Sequence, residues 1–168
     1  MQDERDRLIA CIPRLRRYAR ALLGDRTGAD DLVQDTMERG WKKLSSWQRG
    51  SDMRAWLFGI MHNLHIDQVR RPRIATEVLD DDTPIPALKA TQDDGLELRD
   101  LATALHALPV EQREILLLVA LEEMTYDEVA AALGLPIGTV MSRLSRARQK
   151  LRAQMEGRSL VSQLKVVK

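Results

Sequence analysis

Apolar residues recur along this chain every three or four positions, the period of a helix with one buried face. Leu8, Ile12, Leu15, Ala19 and Leu22 fall on one stripe that ends at Gly24, with Pro13 as a kink or a fresh start. Ala29, Leu32, Val33, Thr36, Met37, Gly40 and Leu44 step along a second stripe, which leaves Asp30, Asp31, Gln34, Asp35 and Glu38 on the other faces. A third helix is predicted from an N-cap at Ser51 or Asp52 to Arg71, with Trp56, Ile60, Leu64 and Met53 as its core stripe. The period stops at Pro72. It resumes with Leu98, Leu101, Ala102, Leu105 and Leu108, a helix halted by Pro109, and that proline opens another helix carrying the apolar run 115–121.

The last part of the pattern is a helix–turn–helix. Thr125 followed three residues later by Glu128 matches a capping box that opens a short helix to Leu133. Gly134, Leu135 and Pro136 break the chain tightly, and Val140, Leu144, Ala147 and Leu151 then form the buried stripe of a long helix. Arg143, Arg146, Arg148, Lys150 and Arg152 lie on its other faces. The predicted fold is all-α, with two small helical modules at residues 1–71 and 97–157, a flexible acidic linker at 72–96 and a C-terminal tail at 158–168.

Composition supports helices over sheets. Of 168 residues 44% are hydrophobic and only 4% aromatic, which suits packed aliphatic helices. The total charge of +1 conceals an uneven distribution. Residues 1–71 carry 14 basic and 10 acidic side chains, residues 72–100 carry 3 and 8, and residues 101–168 carry 9 and 7. The acidic middle, with Pro72, Pro84, Pro86 and the run Asp80, Asp81, Asp82, reads as an extended linker. Residues 139–168 hold 8 basic groups and 1 acidic, a stretch that gains from counterion release on DNA.

Other chemistries find little support. Cys11 is the one cysteine, so no intramolecular disulfide forms; it is either a packing neighbour of the apolar stripe or an oxidant sensor. The charged N-terminus lacks the apolar core of a signal peptide, and no stretch reaches the length of a membrane span, so a cytoplasmic protein without membrane insertion is expected. His62 and His65 share a helix side near Asp67, which raises a metal site or a metal-dependent nuclease, but no cysteine pair or second carboxylate shell assists them. No phosphate loop, nucleophile elbow or carboxylate pair is present. The expectation is no catalytic residues, no metal and no cofactor.

The motifs carry a specific resemblance. R-R-Y-A-R-A-L-L-G-D at residues 16–25, A-D-D-L-V-Q-D-T-M at 29–37 and R-A-W-L-F-G-I-M-H-N-L-H-I-D-Q-V-R-R at 54–71 resemble domain two of the extracytoplasmic-function sigma factors of the sigma-70 family. Leu108, Pro109 and Arg113, the run T-Y-D-E-V-A-A-A-L-G at 125–134, and P-I-G-T-V-M-S-R-L-S-R-A-R-Q-K-L at 136–151 resemble domain four of the same family. The resemblance implies an alternative sigma factor that joins bacterial core RNA polymerase and directs it to promoter DNA, in a stress or envelope response controlled by an anti-sigma factor. The rival reading is a two-domain DNA-binding regulator that works without polymerase; the first module has no reason to accompany such a protein.

By resemblance, Asp31, Leu32, Gln34, Asp35 and Thr36 contact core polymerase. The loop 46–53 and the following helix read the minus-10 element, with Asn63 on an unstacked base edge, Asp67 beside it, and Arg49, Arg54, Arg70 and Arg71 on the backbone. Trp41, Trp47 and Trp56 read as packing residues, with Trp47 as the one alternative stacking platform. Pro136, Thr139, Met141, Ser142, Arg143, Ser145 and Arg146 face the minus-35 element, although Thr139 is also read as a cap and Arg143 as a phosphate contact. Met141 stands where many relatives carry Lys or Arg, which replaces a donor with an apolar contact suited to a thymine methyl. The acidic linker resembles the connector that threads toward the polymerase active centre, and a plain solvated tether accounts for it equally. No further promoter-contacting domain is expected between the modules or ahead of residue 1. For the free chain two states stand open: modules packed against each other, or a mobile pair.

Overall fold

The computed structural model describes residues 1–71 and 92–166, without the side chains of residues 92–94, 96 and 158–166. Eight α-helices are described: α1 (Gln2–Ala10), α2 (Ile12–Leu23), α3 (Arg26–Lys42) and α4 (Met53–Arg70), then α5 (Gln92–His106), α6 (Val110–Ala120), α7 (Tyr126–Leu133) and α8 (Ile137–Val166). A 3-10 turn at Leu44–Ser46 leads from α3 into the loop before α4.

Local chemistry sets most of these boundaries. The first stripe is two helices: the chain breaks at Cys11, and Pro13 sits in the first turn of α2, where a missing N–H is harmless. Gly24 ends α2 in the left-handed conformation at φ 69. Asp25 caps α3 by accepting from the backbone N–H groups of Thr27 and Gly28, both at 3.1 Å, and Asp52 caps α4 by accepting from Arg54 N at 2.9 Å. Thr125 and Glu128 complete the expected capping box at the start of α7.

Two ends fall elsewhere than the sequence pattern suggests. Helix α5 already begins at Gln92, inside the stretch assigned to the linker, because Gly95 costs a helix only about 1 kcal/mol and no proline follows residue 86 before Pro109. Helix α8 runs through the stretch assigned to the tail as far as Val166, with Gly157 accommodated inside it. The linker's acidic run and prolines lie outside the described residues.

The modules share one core. Leu15, Tyr18, Leu22, Leu32, Leu57, Phe58 and Met61 of the first belong to the same buried cluster as Leu108, Ile115, Leu118, Val129, Val140 and Leu144 of the second. Of the two free-chain states, this is the packed one. It also explains why the expected stripe of α4 was too narrow. Leu57, Phe58, Met61 and His65 are buried as well as Met53 and Ile60, whereas Trp56 and Leu64 are only partly covered. A helix packed on two sides loses its clean amphipathic signal.

Candidate nucleic-acid interface and polymerase-docking face

The helix–turn–helix is built around the turn between α7 and α8. Gly134 takes φ 65, a left-handed conformation that suits glycine, and Leu135 N closes the turn onto Ala130 O at 3.0 Å. Val140, Leu144 and Ala147 are almost fully buried and fix α8 against the module. That seating turns the opposite side outward: Pro136, Met141, Ser142, Ser145 and Arg146 are exposed, and Thr139 and Arg143 are half-buried. Thr139 is the third residue of α8, past the cap position, and Ser142 Oγ donates to its carbonyl at 3.2 Å. Arg143, Arg146, Arg148 and Arg152 make no ion pair or hydrogen bond with a described residue, so their guanidiniums remain available to an external anion. Arg148, Arg152, Tyr126 and Met141 also line a groove of about 350 Å³ between α7 and α8.

Helix α3 presents an acidic surface. Asp31, Gln34 and Asp35 are exposed, while Leu32 and Thr36 have no exposed surface. Thr36 donates its hydroxyl proton to Leu32 O at 2.7 Å. These two residues seat the helix and the three polar ones face outward. Neighbouring Asp30 lies 3.8 Å from Arg16 and 3.6 Å from Arg20 of α2, which steadies the acidic face against its own module.

The residues assigned to the minus-10 element are divided. Asn63, Asp67, Arg70 and Arg71 are exposed at the outer side and end of α4. Arg49 pairs with Glu4 at 2.5 Å. Arg54 points the other way, into the seam between modules, where it donates to Glu122 O at 2.8 Å. Trp47 is buried at 7% exposure, a packing position, while Trp41 lies exposed beneath the Arg5 guanidinium, 4.9 Å from its ring centre. Cys11 is half-buried with its thiol directed at Arg7 O, and burial, assisted by Asp52, pushes its pKa up, which disfavours the reactive thiolate.

The seam holds the residues that sequence reasoning missed. Arg113 of α6 is buried and donates to four carbonyls, those of Leu105 (2.9 Å), His106 (2.9 Å) and Leu108 (2.9 Å) in its own module and Leu22 (2.7 Å) in the other. Its guanidinium therefore staples the end of α2 to the turn before α6. Glu114 meets His62 across the seam at 2.5 Å between Oε1 and Nδ1. His62 thus turns to α6 while Asp67 is exposed, and the suspected histidine–aspartate trio does not converge. Gly59 brings α4 so close to α7 that an added Cβ would lie 2.9 Å from Ala132 O. Arg113 and Gly59 stood in quoted motifs, but nothing in their spacing marked them as contacts between the modules; Glu122 carried no signal in the sequence.

A basic outward face on the helix–turn–helix of one module and an acidic outward face on α3 of the other define a class: a two-module, all-helical protein built around a helix–turn–helix. The family comparisons narrow it. The model for the sigma2 domain of PhyR matches residues 8–62, and that for sigma-70 region 4 matches residues 98–151. The chain is 41% identical, over 89% of its length and 83% of the relative's, to the extracytoplasmic-function RNA polymerase sigma factor EcfG of Rhodopseudomonas palustris strain TIE-1. It is similar to the sigma factor RpoE solved with the anti-sigma factor NepR from Bartonella quintana, with a TM-score of 0.76 and 36% identity over 93% of this chain and 98% of that one. CnrH, solved with the cytosolic domain of CnrY, matches with a TM-score of 0.63 and 28% identity over 92% of this chain and 97% of that one. The chain belongs to the extracytoplasmic-function sigma factors of the sigma-70 family. It is accordingly a transcription-initiation factor that directs RNA polymerase to promoters. Among the described residues no helix is long and apolar enough to cross a membrane.

Proposed function

We propose that each module contributes a distinct recognition step to this sigma activity. Helix α3 docks on core RNA polymerase through Asp31, Gln34 and Asp35, whose exposed polar and acidic groups suit a basic partner surface, with Leu32 and Thr36 seating the helix. Asn63, Asp67, Arg70 and Arg71, with Arg49 and Arg54, engage the minus-10 element. The outer face of α8, from Pro136 through Met141, Arg143 and Arg146, enters the major groove at the minus-35 element. The observation that carries this reading is the row of arginines, unpartnered among the described residues, held outward on α8 by a buried stripe directly behind a tight turn.

The packed arrangement is the form an anti-sigma factor holds, by analogy with the RpoE and CnrH complexes. The protein acts in the cytoplasm, where polymerase and promoter DNA are found, and works as a specificity subunit with no catalysis, metal or cofactor of its own. The test is run-off transcription from a genomic promoter library with purified core polymerase, with and without the chain. Promoter-specific transcripts that require the chain are expected. Folded protein that neither associates with core nor yields transcripts would return the helix–turn–helix to a polymerase-independent regulator.

A further inference from the structure

Three arginines of the first module converge on one residue of the second, two on the Glu122 carboxylate and one on its backbone carbonyl. Arg17 Nη2 lies 2.9 Å from Glu122 Oε1 and donates to Leu121 O at 3.2 Å. Arg14 Nη1 lies 3.9 Å from Glu122 Oε2, and Arg54 donates to the Glu122 carbonyl. The Glu122 side chain has no exposed surface, whereas those of Arg14 and Arg17 are about half exposed. Arg14 and Arg17 thus reach solvent beside a Glu122 carboxylate that is itself fully covered, with Arg54 mostly buried next to them. The pairing is imperfect: Glu122 Oε2 has no hydrogen-bond partner, and Glu123 beside it adopts φ 55, a conformation that costs energy outside glycine. Asp52, 3.3 Å from Arg54 Nη2, is the other carboxylate paired with the cluster. Three guanidiniums therefore meet two carboxylates, and withdrawal of Glu122 leaves a surplus of two positive charges.

Guanidinium forks match phosphate as well as carboxylate. Arg54 follows directly on the loop 46–53, the segment to which the promoter reading assigns minus-10 recognition, and Arg14 and Arg17 reach the same Glu122 from α2. We infer that Arg14, Arg17 and Arg54 form a phosphodiester-binding site for the promoter strand, and that Glu122 occupies it as an internal phosphate mimic while the modules are packed together. The inference rests on the promoter reading above. It makes closure and promoter binding mutually exclusive at these side chains, because one set of donors serves either Glu122 or the strand.

The experiment uses holoenzyme assembled from the full chain and core polymerase, with a fluorescent forked promoter duplex titrated at several salt concentrations. Arg17→Ala is expected to weaken binding about five- to tenfold and to reduce the slope of log affinity against log salt by roughly 1. Arg17→Lys keeps the charge and is expected to retain the slope, and Glu122→Gln is expected to bind at least as tightly as the wild type. A clamp without a strand contact gives the opposite sign: Arg17→Ala would then bind as well as or better than the wild type with an unchanged slope, which overturns the inference. An affinity loss with no change in slope overturns it too. Arg14→Ala repeats the test at a half-exposed position, and co-elution with core reports assembly separately. A wild-type holoenzyme that assembles but ignores the fork would instead sink the promoter reading, and this inference with it.

Discussion

The seam between the modules and the outer face of α8 are both rich in arginine, and they use it in opposite ways. At the seam, Arg113, Arg54 and Arg17 are paired with protein carbonyls and carboxylates. On α8, Arg143 and Arg146 stand beside serines and have no acceptor among the described residues. Composition cannot tell these apart, since an arginine's role depends on whether folding brings an acceptor to it. Arginines paired within the molecule define one arrangement of the chain, and those turned outward are the ones proposed to meet DNA. Because Arg17 and Arg54 reach Glu122 across the modules and Arg113 makes one of its four bonds across them, the arrangement that pairs these side chains also holds Arg54 away from its proposed minus-10 contact.

The strongest way to break the contrast is to remove the staple. Arg113→Ala leaves four carbonyls, two of them buried, short of their donor and is expected to cost about 3–5 kcal/mol, read as a lowered denaturation midpoint. A loss below about 1 kcal/mol would show that water replaces the guanidinium and that the seam does not depend on it. On the outer face, Arg143→Ala and Arg146→Ala should leave stability almost unchanged. Each should weaken promoter binding by about 1–3 kcal/mol where it meets a base, and by less where it meets phosphate alone. Equal promoter affinity in both variants would remove α8 from the minus-35 contact.

A backbone contact offers a gentler cut. Gly59→Ala forces a methyl against Ala132 O, so it should loosen the packed form by about 1–3 kcal/mol while each module keeps its helices. Solution scattering of the free chain should then show a larger, less compact particle than the wild type with unchanged circular dichroism. Identical scattering would mean that the seam yields around the methyl.

The smallest expected effect is a pH dependence from the seam. Burial holds the pKa of His65 below its ordinary value of 6.5; Glu114 opposes this and His62 and Arg113 reinforce it. As pH falls, the unfolded chain therefore takes up this proton first. The stabilisation from neutral His65 is complete above 6.5 and is lost as pH drops through that value toward the lower folded pKa. A melting temperature that declines between about pH 7.5 and about pH 5.5, with a shallower decline in His65→Leu, is the expected result. Equal slopes would assign the decline to other groups.

Much of this protein was legible in its residues. The capping box at Thr125 and Glu128, the glycine turn at Gly134 and the apolar stripe of α8 are local signals, and the caps and chain reversals they specify depend on neighbours three or four positions away. The same locality made Asp52 readable as a cap and the face bearing Asp31, Gln34 and Asp35 readable as a polar surface. Locality also limited the reading. Phe58 looks like the wrong side of α4 until Tyr18 of α2 packs against it, and His65 until α6 lies beside it, while Arg54 looks like a free cation until Glu122 arrives 68 positions later in the chain. The helices, their caps and the outward row on α8 were thus determined by the sequence alone. Tertiary structure decided which charges are spent inside the molecule, because pairing across the seam depends on distances that no local period encodes.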